Sequence, residues 1–229
     1  MEKLYTIPVN MAFEACAADH SLGCPFCRIY NILEENELDL ILGASMMEPN
    51  IRIKTNELGF CPTHFEMMLR RQNRLGLALM LESHLDFIRK KYDKGDFLTK
   101  ISKSCYVCGR IEYSMERMLN TAVLLWDQDP GFKPKLAGQH HFCLPHLGAY
   151  LEAGKSRLNR RKYAAFQSDV AAVVEEYFDE LRGDVSWFCK KFDYRYDAEP
   201  WYNSKDAPER AIKFLSADLH TGDPDKKNK

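Results

Sequence analysis

The sequence predicts an all-α fold built from two related helical repeats, and three observations carry that expectation. Apolar residues recur at helical spacing over long stretches, and strand-like alternation appears nowhere convincingly. A Cys-x-x-Cys pair followed by Cys-x-x-His then occurs twice: Cys24 and Cys27 with Cys61 and His64, and Cys105 and Cys108 with Cys143 and His146. The spacers between the halves of each set are 33 and 34 residues, and the first ligands stand 81 positions apart, so the sets read as copies of one unit. Similarity extends beyond the ligands: GFCPTH resembles HFCLPH, and FIRKKYD at 87–93 resembles WFCKKFD at 187–193.

In chain order, Asn10 is placed to cap a short helix through Glu14 and Cys16 that ends before Gly23. Phe26, Ile29, Leu33, Leu40 and Ile41 predict a helix after the first Cys-x-x-Cys, and Val107, Ile111, Met115, Met118, Ala122 and Leu125 predict one after the second. From Pro62 to about Lys91, Phe65, Met68, Leu69, Leu75, Leu79, Phe87 and Ile88 predict one helix of about 45 Å at 1.5 Å per residue, with Pro62 in its first turn. The second copy restarts at Pro145, breaks near Gly154, and continues through Tyr163, Phe166, Val170, Val174, Tyr177 and Leu181 to a stop and new cap at Gly183 and Asp184. MMEPNIRIKTNELGF and WDQDPGFKPKLAGQHHF, each between a Cys-x-x-Cys helix and a Cys-x-x-His helix, read as loops or short turns. Asp206 caps a last helix through Ala211, Phe214 and Leu215, and GDPDKKNK reads as a disordered tail. The expected organisation is residues 1–95, 96–195 and a 196–229 extension, forming one compact domain.

With 229 residues and a 45% hydrophobic share, the chain can bury a sizeable core. Its 32 basic and 33 acidic residues nearly cancel, so bulk charge favours neither nucleic acid nor an anionic membrane as partner. The first 20 residues lack the basic start and apolar stretch of a secretion signal, and the longest apolar run, Ala122 to Trp126, is far short of the roughly 20 residues that span a bilayer. A soluble, cytoplasmic protein follows as an expectation. In a reducing compartment, eight cysteines read as metal ligands or reactive thiols rather than as a disulfide framework.

Two residues between ligands let one turn of backbone present two side chains to the same ion, and each motif also opens a helix, where free N–H groups and the helix dipole favour thiolate. The expected grouping is one closed three-cysteine, one-histidine site within each repeat. Zinc is the expected occupant of both, since a full tetrahedral shell speaks for structure rather than chemistry; an iron–sulfur cluster is the alternative. No catalytic residue is assigned, and the reading leans away from an enzyme.

Outside the sets, Cys16 and Cys189 read as inert packed thiols, His140 and His141 as loop histidines that could support or exchange with the second site's ligands, and His84 as a satisfied helix histidine. Arg70, Arg71 and Arg74 follow the first Cys-x-x-His, and Lys155, Arg157, Arg160, Arg161 and Lys162 follow the second. A solvated helix face is preferred to a phosphate-contacting one, because no aromatic interleaving accompanies either group.

GCPFCRI, GASMMEPNIRIKTNELGFCPTHFEMML and NRLGLALMLESHL resemble a bacterial family of uncharacterised proteins, domain-of-unknown-function family 6062. The resemblance covers about the first 90 residues well, with the later motifs matching its second half. It implies a bacterial cytosolic protein and supplies no activity. Within it, Glu48, Arg52, Asn56, Asn73, Arg74 and Glu82 are more specific than packing requires; they could line a site for a small molecule or partner, or lock the loop against the long helix through hydrogen bonds.

Overall fold

The structure is a computed structural model that describes residues 3–222. Among these residues it is all-α: α1 (Lys3–Ala18), α2 (Pro25–Leu42), α3 (Pro49–Leu58), α4 (Pro62–Arg70), α5 (Arg74–Arg89), α6 (Gly95–Ile101), α7 (Tyr106–Gln128), α8 (Phe132–Ala137), α9 (Leu144–Arg157), α10 (Arg160–Lys190) and α11 (Ala207–Ser216), with short 3₁₀ turns between some of them. No described helix is long and apolar enough to cross a membrane. Most of the tail read as disordered, residues 223–229, lies outside the described residues.

Several boundaries differ from the sequence-based expectation, each for a local reason. The first helix begins at Lys3, not at Asn10; Pro8 lies inside it, and the Asn10 amide donates to the Thr6 carbonyl at 3.0 Å. The single helix expected from Pro62 to Lys91 is two, because the Asn73 carboxamide accepts from Gly76 N at 2.8 Å and donates to the Leu42 carbonyl at 2.5 Å, capping a new helix. The first expected loop contains α3, opened by Pro49 at its first turn and stopped by Gly59 at φ +60°. The second contains α8, anchored by the buried side chains of Phe132 and Leu136. The break expected near Gly154 falls at Leu158–Asn159, where the Asn159 side chain caps α10. Gly183 and Asp184 do not stop that helix; Asp184 turns to Arg210, 2.7 Å away, and packing overrides the weak helix propensity. Asp206 does precede the last helix, although its carboxylate pairs with Arg210 Nε at 3.1 Å rather than with a helix N–H.

Two compact units result, and they do not coincide with the sequence halves. Of the described residues, one comprises 3–31 and 116–222 and the other 32–115. The division falls inside α2 and α7, so both helices carry the chain from one unit into the other. The first unit is centred on an aromatic core: Phe26 meets Phe13 at 5.5 Å and Tyr150 at 5.0 Å, Tyr150 meets Phe166 at 4.8 Å, and Phe166 meets Trp126 at 5.2 Å. The second buries Leu38, Ile41, Met68, Met80, Val107 and Ile111. Arg52 Nη2 donates to the Leu79 carbonyl at 2.6 Å and Ser83 Oγ to Asn56 Oδ1 at 3.0 Å, tying α3 to α5.

Gly154 permits the close approach of α9 to α10, since a Cβ there would lie 2.4 Å from the Phe166 ring, whereas one at Gly148 in the same helix would meet nothing within 4 Å. Gly154→Ala is expected to destabilise by about 1–3 kcal/mol through overpacking. Gly148→Ala is expected to stabilise by up to about 1 kcal/mol through helix propensity. Denaturant midpoints of the two variants should move in opposite directions.

Candidate metal centres

All four ligand motifs share one local geometry. Cys24, Cys61, Cys105 and Cys143 each stand just before the first helical residue, and Cys27, His64, Cys108 and His146 come three positions later. The first carbonyl of each motif accepts the first helical hydrogen bond, as from Arg28 N to Cys24 O at 3.1 Å and Phe65 N to Cys61 O at 3.0 Å. Side chains at these two positions of a helix start reach the same point in space, as they do in a capping box. Each motif is therefore half of a four-residue Cys/His cluster.

Those halves close across the repeats rather than within them. Site 1 gathers Cys24, Cys27, Cys143 and His146; site 2 gathers Cys61, His64, Cys105 and Cys108. This corrects the expected grouping while keeping all eight residues. Its cause is helix length: α2 runs for 18 residues from Cys24, about 27 Å at 1.5 Å per residue, and α7 for 23 residues from Cys105. Neither motif stays beside the next one in sequence. Local packing completes the exchange, since Phe26, between Cys24 and Cys27, packs 5.8 Å from Phe142, which precedes Cys143. In the other unit Tyr106 N donates to Gly59 O at 2.9 Å and Ser104 Oγ to Leu58 O at 2.7 Å.

Within site 1, Sγ of Cys27 lies 3.5 Å from Sγ of Cys143, and His146 Nδ1 lies 3.1, 3.4 and 3.9 Å from Cys143, Cys27 and Cys24. Within site 2, His64 Nδ1 lies 3.1, 3.3 and 3.4 Å from Cys61, Cys105 and Cys108. The cysteines of site 1 are buried, while Cys61 and Cys105 are half-buried and Cys108 is exposed. Site 2 has an additional buried partner: Glu34 Oε1 lies 3.0 Å from His64 Nε2, with both side chains fully buried. Sequence reasoning missed Glu34; its signal was a lone carboxylate on the apolar side of α2.

The clusters already share charge through protons. Burial opposes a charged His64, but its contacts with Cys105 and Glu34 outweigh this and raise its pKa to about 10. Burial also opposes a charged Cys105, yet the His64 hydrogen bond leads the effects that bring it down to about 6. In site 1, Cys24 is held well below the ordinary thiol range despite burial, by hydrogen bonds from Cys143, Cys27 and His146. Hydrogen bonding to Cys143 and Cys24 pushes Cys27 up.

The remaining sequence candidates are distributed over both units. Arg52, Asn56 and Asn73 bind backbone or helix partners as described above, while Glu48, Arg74 and Glu82 are exposed. His84 Nδ1 faces the Asn56 carbonyl at 3.1 Å. Cys16 is packed, with burial pushing its thiol up to about 12, but Cys189 is exposed and so is not a packed thiol. Of the basic residues, Arg70 pairs with Glu66, Arg71 with Glu35 and Asp39, Lys155 with Glu152, and Lys162 with Asp127. His140 and His141 lie beside site 1, with His141 buried and stacked on Tyr177 at 4.2 Å.

The model of a family of unknown function, DUF6062, matches residues 1–97 and again 92–222. The chain belongs to this family. Two successive matches agree with the internal repeat seen in the ligand spacing. No curated protein and no solved structure matches the chain.

Metal entering site 2 must displace the His64 proton at neutral pH, because that pKa stands near 10. Below about pH 6 Cys105 is protonated as well, adding a competing proton. Metal affinity should therefore fall as pH falls, more steeply below pH 6, and calorimetry in buffers of different ionisation enthalpy should register proton release. Affinity independent of pH would contradict this.

Proposed function

We propose that this is a non-enzymatic helical protein stabilised by two structural zinc ions, one in each Cys/Cys/Cys/His cluster, whose surface binds another protein or a small ligand. The observation that carries the zinc reading is ligand-atom spacing. A single tetrahedral zinc with Zn–S bonds of about 2.3 Å and Zn–N bonds of about 2.0 Å separates its ligand atoms by about 3.5–3.8 Å. Contacts of 3.1–3.9 Å in both clusters support one ion per cluster. An iron–sulfur cluster inserts several irons and sulfides between its cysteines and requires wider spacing. With three thiolates and a neutral imidazole around zinc, each site carries a net charge of −1, which the starts of two helices partly offset. A filled shell leaves no position for water or substrate, which supports structure over catalysis.

A phosphate-binding role for the faces after each Cys-x-x-His is the weaker reading. Arg70, Arg71, Lys155 and Lys162 already face carboxylates.

Glu34 gives site 2 a further property. A carboxylate on the second nitrogen of a ligating histidine fixes the ring and raises its basicity, and losing such a partner typically costs about 10–100-fold in metal affinity. The residue 81 positions after Glu34 is Met115, so the repeat does not carry this carboxylate into its second copy.

Elemental analysis of freshly purified protein is expected to find about two zinc ions per chain, one for each cluster. Chelation should lower helicity and thermal stability together. Visible absorbance with iron and sulfide, or a metal-free chain of unchanged stability, would reject the reading. Glu34→Gln should weaken one of the two ions by about 10–100-fold in chelator competition and leave the other unchanged.

A further inference from the structure

A cavity of about 500 Å³ lies against site 1, lined in part by Cys24, Cys27 and Cys143, and His20, His140 and His141 share its wall. The imidazoles form a connected row. His20 stacks on His140 at 4.7 Å with the rings 4° from parallel, and His140 meets His141 edge-on at 5.7 Å. His141 is only 9% exposed, and its Nδ1 is buried without a protein hydrogen-bond partner, an arrangement that ordinarily has a reason. His20 Nε2 donates to the Gly138 carbonyl at 3.2 Å, which leaves the Nδ1 lone pair of that ring free to ligate. Glu180 Oε2 stands 3.6 Å from His140 Nε2.

Arg28, Arg210 and Lys213 line the cavity with Glu180, Asp206 and Asp218, so its formal charges balance and the donor set decides what it takes. Arg210 is held by Asp184 and Asp206, and Lys213 by Asp218, so an incoming anion would compete with carboxylates already in place. Its imidazole nitrogens and the Glu180 carboxylate stand beside a sulfur-rich cluster. That donor set suits a borderline divalent transition ion rather than calcium or magnesium, which take oxygen.

We propose that His20, His140 and His141, with Glu180, form a third and weaker binding site for a divalent transition-metal ion of the zinc class, positioned to hold ions entering or leaving site 1. The ligand atoms are not gathered as they are in sites 1 and 2, so the exposed His20 ring must rotate to close on an ion. Lower affinity follows, as a transfer site requires. The inference rests on site 1 holding metal, and the experiment separates the two ideas.

Protein loaded with two zinc ions is titrated with cobalt(II). The expected result is a third equivalent with weak d–d absorption and no thiolate-to-metal charge-transfer band, and with affinity at least tenfold lower in the His20→Ala/His140→Ala variant, which keeps its two zinc ions and its circular dichroism. Two retained zinc ions with no third equivalent would overturn the third site alone, as would third-ion binding indifferent to the double substitution. Failure to retain the first two ions would overturn the zinc reading and this inference with it. His141→Phe, which keeps the stack on Tyr177 without ring nitrogens, should slow exchange of isotopically labelled zinc into site 1 at least tenfold, and unchanged exchange would remove the transfer role.

Discussion

Gathering three thiols and an imidazole within 4.8 Å is the constraint on which the rest of the molecule depends. Such a cluster is costly by itself, because its members lose water and their charged forms repel one another. An ion that binds all four reverses that balance, and its binding free energy becomes folding free energy. Here the clusters also close long stretches of chain: Cys143 stands 116 positions after Cys27, and Cys108 stands 47 after Cys61. Loop-closure cost grows only slowly with length, so one strong local interaction can hold such distant segments. In the first unit the aromatic packing of Phe26 and Phe142 brings the same segments together, so hydrophobic burial and ligand geometry agree.

The sequence was most legible where a local rule operates alone. Pro62 opened its helix, the ligand motifs fell at helix starts, and the all-α class followed from periodicity. It was least legible where a side chain chose between two local roles. Asn73 and Asn159 cap new helices inside patterns that read as continuous or differently broken, and Pro49 begins a helix where proline looked like loop punctuation. Gly154 looked like a break because glycine weakens helices; its role is tertiary, making room for Phe166. The eight cysteines and histidines that cluster were readable from spacing, but their grouping was not, because spacing records separation along the chain while α2 and α7 carry successive motifs into different units.

The two clusters share a ligand set and differ in surroundings. Site 1 has buried cysteines, an aromatic floor and a polar cavity with histidines; site 2 has a solvent-facing Cys108 and a buried carboxylate behind its histidine. Environment tunes a metal site as strongly as its ligands do. Copies that began alike can thus diverge in affinity and exchange rate without losing a single coordinating residue.

The reciprocal grouping also bears on how such a chain could arise. Each repeat contributes one Cys-x-x-Cys and one Cys-x-x-His, yet in this arrangement it completes neither site alone. Two unlinked copies of the unit could close the same pair of sites by mutual exchange, which is the isologous contact of a two-fold dimer. Joining the copies end to end would turn that assembly into one polypeptide, and an interface between subunits would become an internal connection that dilution can no longer undo.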